Sequence, residues 1–235
     1  MHITRIIFTF LAALLCGMAQ AQDETVVLQV ELNNGDVVEG TMYTGILNCP
    51  FYLNGSAEVA VKDKESGKKT TFASTEVKEV RVYNEEESTW VKWLPLMAER
   101  NVPAPWRKKP RLNRSPVFLH PLYEGKHVSA YVQYINRSMD ITGPMRPTGV
   151  ALKAKISRLF YFFKLNDEDI AKAYADVLDD HLDAMIESIL KYAFADYPDM
   201  NEVIENFDKE AFCEDPTSII KKFDAVLDES SFKAE

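Results

Sequence analysis

TVVLQVELNNGDVVEGTMY, residues 25–43, carries apolar side chains at Val26, Leu28, Val30 and Leu32 and then breaks at Asn33-Asn34-Gly35-Asp36. An apolar residue at every second position is the period of a strand with one buried face. Asn and Gly tolerate positive φ, so the tetrapeptide reads as a turn. VVEGTMYTGIL (37–47) resumes β character, and Gly40 suggests a bulge. Asn54-Gly55 marks another turn, and AEVAVKD (57–63), TTFAS (70–74) and VKEVRVY (77–83) read as further strands around the solvated turn KESGKK. Strand–turn–strand at intervals of roughly 10 residues predicts a small barrel- or sandwich-like unit from Glu24 to about Asn84.

Beyond that unit the texture changes. STWVKWLPLMA (88–98) suits a strand or a short helix, and Pro103, Pro105 and Pro110 break regular structure after it. Arg107, Lys108, Lys109, Arg111 and Arg114 lie beside Trp106, with no acid between Arg100 and Glu124. This run suits either an exposed loop or a contact with an anionic surface.

VFLHPLY (117–123) and KHVSAYVQYI (126–135) flank Glu124-Gly125 and predict a hairpin. A two-residue turn would put His120 and His127 on one sheet face, a weak metal-site candidate with Glu124 near it. The alternative is a solvated or groove-lining face with Ser129, Tyr131 and Gln133. Asn136 to Gly149 reads as a loop. Its Asn136-Arg137-Ser138 matches a glycosylation acceptor that has meaning only in a eukaryotic secretory pathway. Val150 to Leu165 reads as one long strand or two short ones.

After Asn166 a period of 3.6 fits. Asn166 followed by Asp167-Glu168-Asp169 resembles a helix start. At helical spacing Tyr174, Val177, Leu178, Leu182, Met185 and Ile189 share a face. Asp176, Asp180, Asp183 and Glu187 fall opposite as a solvated row, and His181 lies at the edge of the apolar stripe. Tyr197-Pro198 ends this helix near Asp196. A short helix is expected over Asp199 to Asn206. Asp215-Pro216 opens a last helix with Ile219, Ile220, Phe223, Val226 and Leu227 as its core stripe. The chain therefore reads as α+β, with a β-rich region over 22–165 and a helical region over 166–235.

The first 21 residues have the layout of a secretory signal peptide: Arg5, an apolar run from Ile6 to Leu15, and Ala19-Gln20-Ala21 as a cleavage site before Gln22. Cys16 inside it lacks the small preceding residues of a lipid-attachment site. A periplasmic or extracellular protein with no transmembrane segment in its mature chain is expected. The 235 residues, 46% of them hydrophobic, are enough for a sizeable core, and the net charge of −9 argues against nucleic acid as a partner. Cys49 and Cys213 remain after cleavage, and an oxidising compartment permits them to pair. The alternative is two small buried side chains.

LQVELNNGDVVEGTMY and KKTTFASTEVKEVRVY resemble the opening of a family of uncharacterised secreted Bacteroidetes proteins, with Gly35-Asp36 and Gly40 carrying a Gly-Asp-x-x-x-Gly pattern. FLHPLYEGKHVSAYV is similar to that family's Leu-x-x-Gly-Lys-Val hairpin, with His127 as an extra residue. LKYAFADYPDMNEVI is similar to its Phe-x-Asp-x-Pro-x-Leu helix end, with Met200 in place of leucine. The resemblance implies export and a β-then-α architecture, and no activity. No Gly-x-Ser-x-Gly, His-Glu-x-x-His, phosphate loop or dinucleotide fingerprint is present, so no cofactor is implied. The expectation is a non-enzymatic binding or envelope-associated protein whose partner is a protein, a glycan or an envelope surface. The alternative is an extracytoplasmic hydrolase acting on a polymer.

Overall fold

A computed structural model describes residues 27–42, 56–84, 88–100, 102–103, 110–141, 152–178, 181–182 and 185–233. Within these ranges the side chains at 134–141, 152–158, 178, 181–182 and 230–233 are left out of the description. The signal peptide, Cys49, Trp106, Arg107, Lys108 and Lys109 lie outside the described residues.

The first stretch forms β1 (Val27–Leu32) and β2 (Val37–Met42), paired antiparallel with Val30 opposite Val38. Leu28 and Val30 are buried, as their alternation requires. Gly35 closes the turn at φ +90°, and its N–H donates to the Leu32 carbonyl. Gly40 marks no bulge, because the β1–β2 register runs straight through it. Its role is close approach: a Cβ there would lie 2.5 Å from Val61 Cγ1 and 2.6 Å from the Lys62 carbonyl oxygen on the next strand.

β3 (Glu58–Lys62), β4 (Lys69–Ala73), β5 (Val77–Asn84), β6 (Thr89–Ala98), β7 (Val117–Glu124), β8 (Val128–Ile141), β9 (Leu152–Leu165), β10 (Ile170–Leu178) and β11 (His181–Leu182) complete one mixed sheet. Its order is β11-β10-β9-β8-β7-β6-β5-β1-β2-β3-β4, and β10 also pairs in parallel with β6. Strands β6 to β10 therefore form a ring of paired neighbours. Pro95 lies where one edge of β6 passes from β5, at Trp93 opposite Val80, to β10, at Met97 beside Ile170. A residue without an N–H suits a position between two ladders.

The ring interior holds Leu94, Leu96, Ala98, Val117, Leu119, Tyr131, Phe160, Phe162, Ala171 and Ala173. A second core lies under β1–β6, where Leu28, Val30, Val59, Val61, Val80, Val82 and Trp93 meet Phe118. The edge of this unit is tied to β7: Phe118 N–H donates to the Ser56 carbonyl at 3.1 Å, and Ser74 Oγ to the Pro116 carbonyl at 2.7 Å.

The helix expected from Asn166 is a strand. β10 pairs antiparallel with β9, Lys172 opposite Phe163 and Asp176 opposite Phe160, with a register shift between Ala173 and Ala175. That shift puts Tyr174 and Ala175 together in the outer core while Ala171 and Ala173 face the ring interior. A bulge inside an Ala-rich strand erases the period of two, which is why a helical period fits the same residues. The expected acidic row does not share a face. Asp176 is buried in β10, Glu187 is exposed on a helix, and Asp180 and Asp183 lie outside the described residues. His181 lies in β11, opposite Leu178. The helical region begins at Ile186, not at Asn166.

The helices are α1 (Ile186–Ala193), α2 (Asn201–Glu205) after a 3₁₀ turn at Pro198–Met200, α3 (Lys209–Glu214) and α4 (Ser218–Lys233). Ile186, Leu190, Phe194, Met200, Ile204, Phe212, Ile219, Ile220 and Phe223 pack on the outer faces of β8, β9 and β10, against Val128, Ala130, Tyr161, Phe163 and Tyr174. Phe163 and Phe194 stack with ring centroids 4.9 Å apart, and Phe223 meets Phe163 edge-on at 5.7 Å. The architecture is α+β.

Candidate functional site

The helices cover β8 to β10. The outer face of β2, β1, β5 and β6 has none of the packed apolar residues of α1 to α4 against it. Alternation decides what it presents. With Leu28, Val30, Val80, Val82 and Trp93 turned inward, Gln29, Glu31, Glu79, Arg81, Tyr83, Trp90 and Lys92 turn outward. Register aligns them in rows. Glu39, Gln29, Arg81 and Lys92 stand opposite one another across the four strands, and Tyr83 stands opposite Trp90.

The polar groups of this face are paired. Gln29 Nε2 donates to Glu39 Oε1 at 2.6 Å, Arg81 bonds Glu79, and Lys78 bonds Glu31. Lys92 Nζ bonds Glu124 Oε1 at 2.8 Å. The hydrogen bond from Lys78 holds the Glu31 carboxyl below its ordinary value, and that to Glu124 holds the Lys92 ammonium above its own. Trp90 keeps 43% of its surface exposed and meets Tyr83 at 5.3 Å with the rings inclined by 60°.

The hairpin histidines do not meet. Glu124 pairs with Ser129 and a register shift falls between Pro121 and Tyr123, so the connection is Gly125-Lys126-His127, not two residues. His120 sits opposite Val132, its Nδ1 2.9 Å from the Lys92 carbonyl oxygen and its ring 5.3 Å from that of Trp93. His127 Nε2 lies 3.1 Å from Asp228 Oδ1 on α4. Among the described residues no group of three His, Cys, Asp or Glu side chains is placed to hold a metal. Ser129 and Tyr131, expected on a solvated or groove-lining face, are buried.

The turn is instead a seat for α4. Asp224 Oδ1 accepts from the His127 N–H at 2.7 Å and the Val128 N–H at 3.2 Å, and Oδ2 accepts from the Lys126 N–H and the Tyr123 hydroxyl at 3.0 and 2.9 Å. Burial pushes the Asp224 carboxyl up, but these four donors outweigh it and hold it below its ordinary value. Gly125 is required there, because a Cβ would collide with Asp224 Oδ2 and the Val128 carbonyl oxygen. Asn166 does not cap a helix. Its side-chain amide donates to the Gly125 and Lys126 carbonyls at 3.1 and 3.0 Å. A cavity of about 320 Å³ beside this seat is lined by Lys126, His127, Leu165, Asn166, Asp167 and Leu227. A cleft of about 670 Å³ between α2 and α4 is lined by Asp199, Glu202, Asn206, Lys222 and Glu229, among others.

Two acids are buried in the sheet. Glu99, 9% exposed, accepts from the Ala173 N–H at 2.9 Å and continues the β6–β10 ladder with its side chain. Burial raises its carboxyl above the ordinary value. Asp176 is 4% exposed. Neither acid lines the two cavities above. Of the basic run, Arg111 and Arg114 are exposed, and the Arg111 carbonyl accepts from the Arg100 N–H. Cys213 is a free, exposed thiol on α3. Among the described residues no helix is long and apolar enough to cross a membrane, which says nothing of strands.

Periodicity alone reached the inward-facing Leu28 and Val30 of β1. The outward rows need the register, which no single strand reveals. Neither the family models, nor the curated proteins, nor the solved structures contain a match to this chain.

Proposed function

We propose that this is an exported, non-enzymatic binding protein whose β part, rolled into barrel-like units, supplies the binding surface while the helices serve as scaffold. The observation that carries the reading is the division of the sheet's outer faces. β8 to β10 are covered by the aromatic packing of α1 and α4, whereas β2, β1, β5 and β6 present an exposed Trp90 among ordered polar rows. Export rests on the sequence of residues 1–21 and on the resemblance to secreted Bacteroidetes proteins. The hydrolase alternative would have to draw on Asp199, Glu202 and Glu229 at the cleft between α2 and α4. The buried Glu99 and Asp176 line neither cavity, and Glu99 is engaged in the ladder.

A second contact is supported by the exposure of Arg111 and Arg114 at the end of the run Trp106, Arg107, Lys108, Lys109. That run suits an anionic envelope surface. Changing Lys108, Lys109 and Arg111 together to Ala is expected to lower binding to anionic liposomes at low salt, and equal binding by both proteins would reject the contact.

The test of the main reading is co-sedimentation of the purified protein with insoluble polysaccharides and with anionic liposomes, alongside an assay for released reducing ends. Retention without products is expected. Product release would make the protein an enzyme. Retention by none of these surfaces would remove the binding role.

A further inference from the structure

We infer that the outer face of β2, β1, β5 and β6, which α1 to α4 leave uncovered, binds a neutral polysaccharide, with Trp90 as the stacking ring. The inference rests on the reading above that the β part is the binding surface, and it names the ligand class. Three observations converge on it.

Trp90 is a large ring left 43% exposed on a sheet and braced by Tyr83 at 5.3 Å. A braced ring loses little freedom when a ligand stacks on it, and its apolar face matches the C–H face of a pyranose. The row Glu39, Gln29, Arg81, Lys92 crosses the same strands two positions away from the Tyr83–Trp90 pair, about 7 Å along the chain. Carboxylate, amide, guanidinium and ammonium groups are the donors and acceptors that sugar hydroxyls need, and they stand within reach of a sugar stacked on Trp90. Charge then selects among polymers. Lys78, Arg81 and Lys92 each pair with an acid, Glu31, Glu79 and Glu124 in turn. Among the described residues the bases of this face each stand beside an acid, which weakens its pull on an anionic chain, while its hydrogen-bonding capacity remains for a neutral one.

The test is affinity electrophoresis in native gels containing mixed-linkage β-glucan, xylan, galactomannan or glycogen, with polygalacturonate as the anionic counterpart. The wild type is expected to be retarded by at least one neutral glycan, and the variant with Lys108, Lys109 and Arg111 changed to Ala is expected to keep that retardation while showing none by polygalacturonate. Trp90→Ala is expected to lose about tenfold or more in apparent affinity, the scale of one aromatic contact, and Trp90→Phe to keep most of it. Melting temperatures are read for all variants. If Trp90→Ala melts early, Gln29→Ala replaces it, with a smaller but measurable loss expected. Failure of every neutral glycan to retard the wild type, or equal retardation of wild type and Trp90→Ala, overturns the inference. So does a wild-type dimer that becomes a monomer in Trp90→Ala, which would make this face a contact between two copies. Binding confined to polygalacturonate or anionic liposomes would remove the neutral glycan and leave the binding reading standing. Release of reducing ends would fail that reading itself.

Discussion

At the scale of single residues, the buried and hydrogen-bonded acids govern the response to pH. Burial raises the Glu99 carboxyl, so the folded chain holds this proton to higher pH than the unfolded chain does. Its ionisation therefore opposes folding. That cost is absent below the unfolded value and complete above the folded one. Glu99→Gln keeps an acceptor for the Ala173 N–H and removes the charge. It is expected to stabilise at neutral pH, with the gain vanishing as pH falls below the unfolded carboxylate value in melting curves; a gain that grows on acidification would contradict the assignment. Asp224 behaves oppositely. Its folded value is lowered, so it stabilises above the unfolded value and the benefit is lost as pH falls through the folded one. Asp224→Asn retains one acceptor oxygen and turns an NH₂ toward backbone donors. A loss of about 1–3 kcal/mol in urea denaturation is expected, and an unchanged midpoint would show that the seat does not hold α4. Gly125→Ala should cost a similar amount through the collision at the same carboxylate.

At the scale of elements, the local rules held where one face of an element is buried and the phase is unbroken. β1 alternates cleanly, its Asn-Asn-Gly-Asp turn forms at Gly35, and α4 buries the stripe Ile219, Ile220 and Phe223 that its period marks. The rules failed at β10, where the ladder to β9 and the pairing with β6 outweigh the helix preference of an Ala-rich stretch and a bulge at Tyr174 scrambles the alternation. They failed again at the hairpin. The extra residue near Leu122 shifts Glu124 opposite Ser129 and separates His120 from His127, and no glycine marks this bulge. α3, capped by Asp208 through the Glu210 and Ala211 N–H groups, is too short for a period and was not expected from the sequence. Two substitutions test these elements. Phe223→Asp places a charge among Phe163, Phe194 and Tyr197 and is expected to destabilise by several kcal/mol; an unaltered melting temperature would mean that α4 does not pack there. Ala173→Leu overfills the ring interior and is expected to cost about 1–3 kcal/mol, whereas a residue on an exposed helix face would accept leucine without loss.

At the scale of the whole molecule, the outer faces of the sheet are treated differently. One part is cemented to helices by an aromatic core, and the other is left open with its charges paired and one ring exposed. The strands of the two parts differ: β1 alternates with one face buried, whereas Phe160 to Phe163 of β9 are buried on both faces, and the strand order places the helices against β8 to β10. The most direct measurement is amide hydrogen exchange with and without the neutral glycans of the electrophoresis panel. The account predicts added protection within Val27–Leu32, Val37–Met42, Val77–Asn84 and Thr89–Ala98, with exchange in α1 to α4 unchanged. Protection centred on the helices or on the cleft between α2 and α4, or none in these four strands, would contradict it.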